Sequence, residues 1–281
     1  MSIMKKLKEY LNRPLSFAVF LLIIISTVIT ALTVVFIIGY IFIKGVPNLS
    51  LDLFSLKYSS SNQSMLPSII NTVYLTALTL LLSVPIGIFS AIYLAEYSRK
   101  NSFFVKIINI ANETLSGFPS LVDGLFGFLA FVISKKWGYS LLAGVITLAI
   151  MVLPLIIRTS QEAMLGVDNT FREASYGLGA GKLRTVFKIV LPSAMPGILS
   201  GIILAIGRIV GETAALIYTA GTVPEAATKL TSSSRTISVH LYCLLNEGLY
   251  TEQAYATAVV LIVFVVIINA LSNALAKKIM K

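Results

Sequence analysis

The sequence predicts an all-α membrane protein with six transmembrane helices, and three observations carry that prediction. Hydrophobic residues make up 57% of the 281 positions and charged residues only 12%, whereas soluble globular domains carry about 25% charge. Mean hydropathy is +0.89. Six stretches approach the ~20 mostly apolar residues that a spanning helix needs: 15–43, 68–95, 107–133, 140–157, 194–221 and 253–276.

The first apolar run is longer than the roughly 7–15 residues of a signal-peptide core and has no small-residue cleavage site before Lys44, so it reads as a retained helix. The formal net charge of +10 does not indicate nucleic acid, because the basic residues follow membrane sidedness. With the N-terminus in the cytoplasm, most of the 22 Lys and Arg residues fall on that side, and both termini are expected there. Residues 1–14 then form a cytoplasmic segment, 15–66 the first helix and an external loop, and 67–278 the main membrane domain.

Three long polar breaks separate the spans, at 44–67, 158–191 and 222–252. The first and third are expected to be solvated external loops, marked by Ser59, Ser60, Ser61 and Asn62 and by Ser232, Ser233 and Ser234. Within the spans, Pro85, Pro119, Pro154 and Pro196 are expected to kink helices or begin them. The glycines of "SGFPSLVDGLFGF", around Pro119, suit close helix packing. A single cysteine, Cys243, excludes an internal disulfide; with one histidine, His240, it gives too few ligands for a metal site. Both read as ordinary residues of an external loop or helix.

Ionisable groups inside apolar spans each cost about 2.5–3.5 kcal/mol on insertion scales, and so ask for a partner or a purpose. Glu113, Asp123, Arg208 and Glu212 qualify. Arg208 and Glu212 stand four apart in "AIGRIVGETAAL", which places them on one helix face at ion-pair distance. Two readings remain open: a pair that neutralises itself, or a guanidinium fork for an oxyanion that Glu212 holds in place. Gly207 and Gly211 leave room for a neighbour or ligand, while Glu113 and Asp123 read first as structural charges.

The middle break holds "REASYGLGAGKLRTVFKIVLP", which looks at first like a phosphate-cradling loop. It fails that pattern twice: Tyr176 stands where the first glycine belongs, and Leu183 follows Lys182 where a Mg²⁺-binding hydroxyl is needed. The chain therefore binds no nucleotide cofactor of its own, and any ATP and Mg²⁺ are used by a partner. The stretch reads instead as a helical hairpin. Thr170 and Glu173 have capping-box spacing, with Asp168 and Asn169 as alternative caps. Gly179 to Gly181 interrupt the helix, Leu183, Val186, Phe187 and Val190 form an apolar stripe, and Pro192 begins the next span. Such a hairpin at the membrane face suits docking of a partner protein.

Glu173-Ala174-Ser175, three residues, Gly179, nine residues, Ile189, one residue and Leu191-Pro192 resemble the EAA loop of ABC importer permeases. Ser175 replaces the second alanine. The resemblance implies a type I permease fold, with segment 162–192 carrying a coupling helix that sits in a cleft of a cytoplasmic ATPase. It makes Arg172, Glu173, Ala174, Ser175, Gly179 and Lys182 the expected coupling residues. Stretches 118–128, 153–164 and 207–221 further resemble the PstA-type permeases of phosphate-specific importers. Asp123 departs from the tyrosine usual there, and Ala215 from a frequent proline. The family resemblance implies a prokaryotic plasma-membrane subunit that forms half of a phosphate pathway lined by Arg208, Glu212, Thr213 and Asp123. Its implied partners are a homologous PstC-type permease, two ATPases, an external phosphate-binding protein and membrane lipid, with no nucleic acid.

Overall fold

The computed structural model describes residues 14–98 and 102–279; nearly all of the expected N-terminal segment, with Arg99 and Lys100, lies outside them. Every regular element among the described residues is helical. Helix α1 covers Pro14–Gly45 and is followed by two short 3-10 turns, Val46–Asn48 and Leu51–Phe54. Helix α2, Leu66–Ile92, continues through a π-helical turn, Tyr93–Tyr97. Then come α3 (Phe103–Ser116), α4 (Ser120–Gly127, extended by a π segment Phe128–Ser134), α5 (Leu141–Leu165) and α6 (Asn169–Gly177). A short α7 (Lys182–Thr185) runs through a third π turn, Val186–Val190, into α8 (Leu191–Gly211). The chain ends with α9 (Ala214–Thr219), α10 (Ile237–Glu247) and α11 (Thr251–Ile279).

Five helices are long and apolar enough to cross a membrane, and α3 with α4 makes a sixth span if the two are joined across a 104° bend. The third expected span is thus a broken one. Pro119 has no N–H to donate and takes extended backbone at the N-cap of α4, so helix 107–133 cannot run straight. The fifth expected span is displaced. It begins at Lys182 and stops at Gly211, ten residues short of the expected end, because Glu212 adopts extended backbone. Pro192 sits in the first turn of α8, where a missing N–H costs little, and so marks the start of the α-helical part of that span, just after the π turn.

The core lies between α2, α5, α8 and α9, where Leu75, Leu148, Val152, Ile156, Ile209 and Leu216 are buried together. Small residues let the backbones approach. A Cβ placed on Gly201 of α8 would lie 2.0 Å from Thr159 Oγ1 of α5, and one on Gly87 of α2 would lie 2.6 Å from Ile156 Cγ2. Such seams replace the hydrophobic drive that lipid removes. Helix α1 stands apart: none of its most apolar window is buried within the chain. It touches α11 near one end, where Tyr40 meets the Tyr255 ring edge-on at 5.9 Å.

The third polar break is solvated only in part: Thr222, Val223, Glu225 and 228–231 are exposed, as expected of a loop, but the run that follows is not. Ser234, Arg235, Thr236 and Ser238 are buried, because the segment docks its backbone onto helix ends. Leu141 N donates to Ser232 O (2.9 Å) and Arg235 N to Val223 O (2.9 Å). Asn71 Nδ2 donates to both Glu225 O (3.0 Å) and Arg235 O (3.1 Å).

Candidate functional site

Two breaks meet inside the bundle and assemble the charged residues. Helix α8 ends at Gly211, Glu212 and Thr213 are non-helical, and α9 restarts at Ala214. Against α9 lies α4, so tightly that a Cβ on Gly124 would fall 2.6 Å from Ala215 Cα. Gly124 follows Asp123, and the close approach sets that carboxylate beside the break; the charges of Arg208 and Glu212 both act on it. Its Oδ2 is enclosed and has no hydrogen-bond partner. Irregular backbone at membrane depth is tolerated only where protein buries it or water lines it, and this break has both a buried and an open side.

The expected Arg208–Glu212 ion pair does not form. Helical geometry stops at Gly211, so the four-residue spacing no longer places the two side chains on one face. Glu212, 8% exposed, turns the other way: its Oε1 accepts from Ala215 N (3.1 Å) at the start of α9, and its carbonyl accepts from Ser238 Oγ (2.7 Å) of α10. Arg208 occupies the last turn of α8, where a cation complements the unpaired helix carbonyls. It is half-buried and forms no salt bridge among the described residues. A Cβ on Gly207 or Gly211 would meet nothing within 4 Å, so the flank of Arg208 is open. Thr213 Oγ1 donates only a long bond, 3.4 Å, to Gly211 O. The arrangement holds one uncommitted guanidinium near two carboxylates, at an opening beside a helix end. Glu113 is elsewhere, in a polar groove of about 210 Å³ between α3 and α5 with Asn109, Asn112, Arg158, Gln161 and Glu162.

The hairpin is built as an anchored lever. Asp168, not Thr170, caps α6, its carboxylate accepting from Thr170 N at 2.9 Å; the capping-box reading gives way to the alternative. At the other end Gly179 has φ +78. Gly179 N donates to Tyr176 O (2.9 Å) and Ala180 N to Ser175 O (3.1 Å), a paired arrangement that closes the helix through a left-handed glycine. Ser175 Oγ lies 2.8 Å from Thr185 Oγ1, both buried, tying α6 to α7. An alanine at 175 has no such bond, so the departure from the motif adds a clamp.

Arg172 is not a surface contact. Its Nη2 lies 2.6 Å from Glu96 Oε1 at the end of the second span, and Nη2 and Nη1 also donate to Met164 O (2.8 Å) and Val167 O (2.7 Å). That guanidinium belongs to the interior, where it fastens the hairpin to α2 and α5. Glu96 escaped sequence reasoning; its one signal is a carboxylate directly after an apolar span. Lys182 reaches back over the Tyr97 ring at 5.0 Å. The expected apolar stripe splits, with Val186 and Val190 buried and Leu183 and Phe187 exposed, because the π turn shifts the faces. Glu173, Ala174 and Leu178 are exposed, and Phe171, Ala174, Leu178, Arg184 and Lys188 line a groove of about 410 Å³.

A family model described as binding-protein-dependent transport system inner membrane component matches residues 83–281. The chain belongs to this family of ABC importer permeases. The permease is 34% identical over 230 residues to the phosphate transport system permease protein PstA of Pasteurella multocida, covering 80% of this chain and 81% of that protein. It is 33% identical over 240 residues to PstA of Yersinia pestis, covering 84% and 81%. To the probable ABC transporter permease protein YqgI of Bacillus subtilis it is 32% identical over 249 residues, covering 82% and 84%. Among solved structures, a bacterial ABC transporter involved in the import of alginate aligns with 99% of this permease and 100% of that chain, at TM-score 0.67 and 18% identity. That likeness shows the type I importer permease fold.

Proposed function

We propose that the chain is the PstA-type permease subunit of an ATP-driven inorganic phosphate importer, contributing half of the transmembrane path. Relatives named as phosphate permeases over four fifths of its length support the substrate. The single structural observation that carries the path is Arg208: a guanidinium free of carboxylate contact, in the final turn of a spanning helix, with open space at Gly207 and Gly211. A planar fork of donors suits phosphate oxygens. The open flank and the uncovered face of α1 fit a second, homologous permease completing the path.

The chain supplies no nucleotide site, so the ATP is bound by two partner ATPases, each embracing one hairpin, while an external binding protein delivers the anion. Both termini and the hairpin then lie in the cytoplasm. Coupling follows from continuity: Lys182–Gly211 is one helical run of 30 residues, about 45 Å at 1.5 Å per residue, with the hairpin at one end and Arg208 at the other. Displacement of the hairpin moves α8, while Arg172 pulls the ends of α2 and α5 along. Asp123 sets the return: its unbonded carboxylate oxygen beside the break takes over Arg208 as the anion leaves.

The test is ATP-driven uptake by the co-purified complex in liposomes, comparing phosphate, sulfate and molybdate. Selective phosphate uptake is expected; selective sulfate or molybdate uptake moves the assignment to another oxyanion, and uptake without ATP removes the importer reading.

A further inference from the structure

Arg235 presents an unmet demand for charge. It is 4% exposed, and its Nε and Nη2 are enclosed without a hydrogen-bond partner. No carboxylate forms a salt bridge with it among the described residues. Its guanidinium lies 4.7 Å from the centroid of the Tyr58 ring, a cation–π contact. Burying a cation without a counter-charge costs more than an aromatic ring and the neighbouring Cys243 side chain return, so these contacts do not compensate it.

The residue also sits where the path would begin. Ser238, three positions on, is the side chain that bonds Glu212 O (2.7 Å) at the α8–α9 break. Ile237 N donates to Thr72 Oγ1 (3.0 Å) near the start of α2. Over the guanidinium, Tyr58 belongs to a short loop pinned by its own hydroxyl, which donates to Gln63 Oε1 at 2.7 Å. Gln63 carries φ +44, left-handed backbone that is strained for a non-glycine residue. The loop backbone is fixed by further bonds, among them Asn62 Nδ2 to Lys57 O (2.8 Å) and Ser64 Oγ to Leu53 O (3.2 Å). The Tyr58 side chain, by contrast, is held by that hydroxyl bond and an edge-on contact with the His240 ring, so the ring and not the loop is the part that can withdraw.

We propose that Arg235 is a second oxyanion-binding residue, an outer station on the path ahead of Arg208, and that Tyr58 is the lid that covers it when no anion is present. The proposal rests on the oxyanion-import reading. Withdrawal of Tyr58 exposes a fork with two unused donor atoms, enough to take an oxyanion in two-point contact before it passes the Glu212 break. The occupant is the small anion rather than a carboxylate of the delivering protein, because the guanidinium lies beneath the loop and not on its surface.

The experiment uses the full complex in liposomes with Arg235→Met, Arg235→Lys and Tyr58→Ala, and reads uptake, heat stability and co-sedimentation with the loaded binding protein. Arg235→Met removes a buried unpaired charge, so it is expected to assemble with unchanged or higher Tm, bind the delivering protein normally, and lose uptake at least about tenfold. Arg235→Lys is expected to recover part of that loss, and Tyr58→Ala to keep uptake. Normal uptake in Arg235→Met overturns the proposal. So does a loss that merely parallels lost assembly, or one explained by weaker co-sedimentation. Should the wild-type complex prefer another oxyanion, the phosphate assignment fails while the tenfold loss is still required, measured with that anion.

Discussion

Arg172 Nη2 and Glu96 Oε1 lie 2.6 Å apart, joining the hairpin to the end of a spanning helix 76 residues earlier in the chain. Each side chain is largely buried, and Arg172 adds bonds to two carbonyls that close the end of α5. Removing the arginine leaves Glu96 as a buried, unpaired charge, a loss of about 3–5 kcal/mol. Arg172→Met is therefore expected to lower Tm in detergent more than Glu96→Gln, and the double variant to recover part of the loss. Equal effects from the two single variants would contradict the anchoring role.

Ser175 and Thr185 form a smaller clamp. Ser175→Ala loses one neutral hydrogen bond, about 1 kcal/mol, while Thr185 keeps Gly181 O at 3.2 Å. Uptake is expected to stay near wild type with slightly lower heat stability. Thr185→Val added to Ser175→Ala costs less than the two changes taken separately, because they share one bond. Full additivity in unfolding curves would show that no clamp exists.

Gly179 tests the backbone alone, since a Cβ there meets nothing within 4 Å yet φ is +78. Alanine is strained in that region by roughly 1 kcal/mol, and asparagine tolerates it better. Co-purification of the ATPase is expected to fall in the order glycine, asparagine, alanine, valine. A flat series would separate the turn from docking.

Gly124 and Gly207 make opposite predictions from the same substitution. Gly124→Ala drives a methyl into Ala215 backbone at 2.6 Å, prying α4 from α9 and parting Asp123 from the break, so uptake and Tm both fall. Gly207→Ala meets open space and gains about 1 kcal/mol of helix propensity, so the subunit's Tm holds or rises. Thermal unfolding of the purified permease separates the two.

His240 is fully buried in α10 beside the Tyr58 ring, and burial, assisted by the charge of Arg235, pushes its pKa down to about 3. The unfolded chain takes up that proton near pH 6.5, so stability is complete above that pH and declines as pH falls towards 3. His240→Leu is expected to flatten the decline, measured as Tm against pH. An unchanged slope would place the acid sensitivity elsewhere.

Much of the fold was legible because lipid demands long apolar runs: the positions of α1, α2, α5 and α11 follow from composition. The breaks were harder. Pro119 announced one, but nothing in "GRIVGETAAL" forbids a continuous helix, and the stop at Gly211 is set by tertiary bonds from Ser238 and by Glu212 turning onto Ala215. Assuming helix there produced the Arg208–Glu212 pair that the structure lacks. Arg172 was read as a contact of the hairpin surface because Glu96 lies far away in sequence, and sequence gives no measure of that distance. The buried run 234–240 was hidden by its serines, which resemble loop residues until their hydrogen-bond partners, Ala220 O for Ser234 N and Glu212 O for Ser238 Oγ, are known.

Arg208 carries the central claim, and one measurement addresses it: ATP-driven phosphate uptake by complexes reconstituted with Arg208→Gln. The substitution removes the charge but retains hydrogen-bonding capacity at a half-buried position facing open space, so the complex is expected to assemble with its ATPases and hydrolyse ATP. Uptake is expected to fall at least about a hundredfold, on the order of 3 kcal/mol. Wild-type uptake by the assembled variant would contradict the account and leave Arg208 as a helix-end charge without a part in transport.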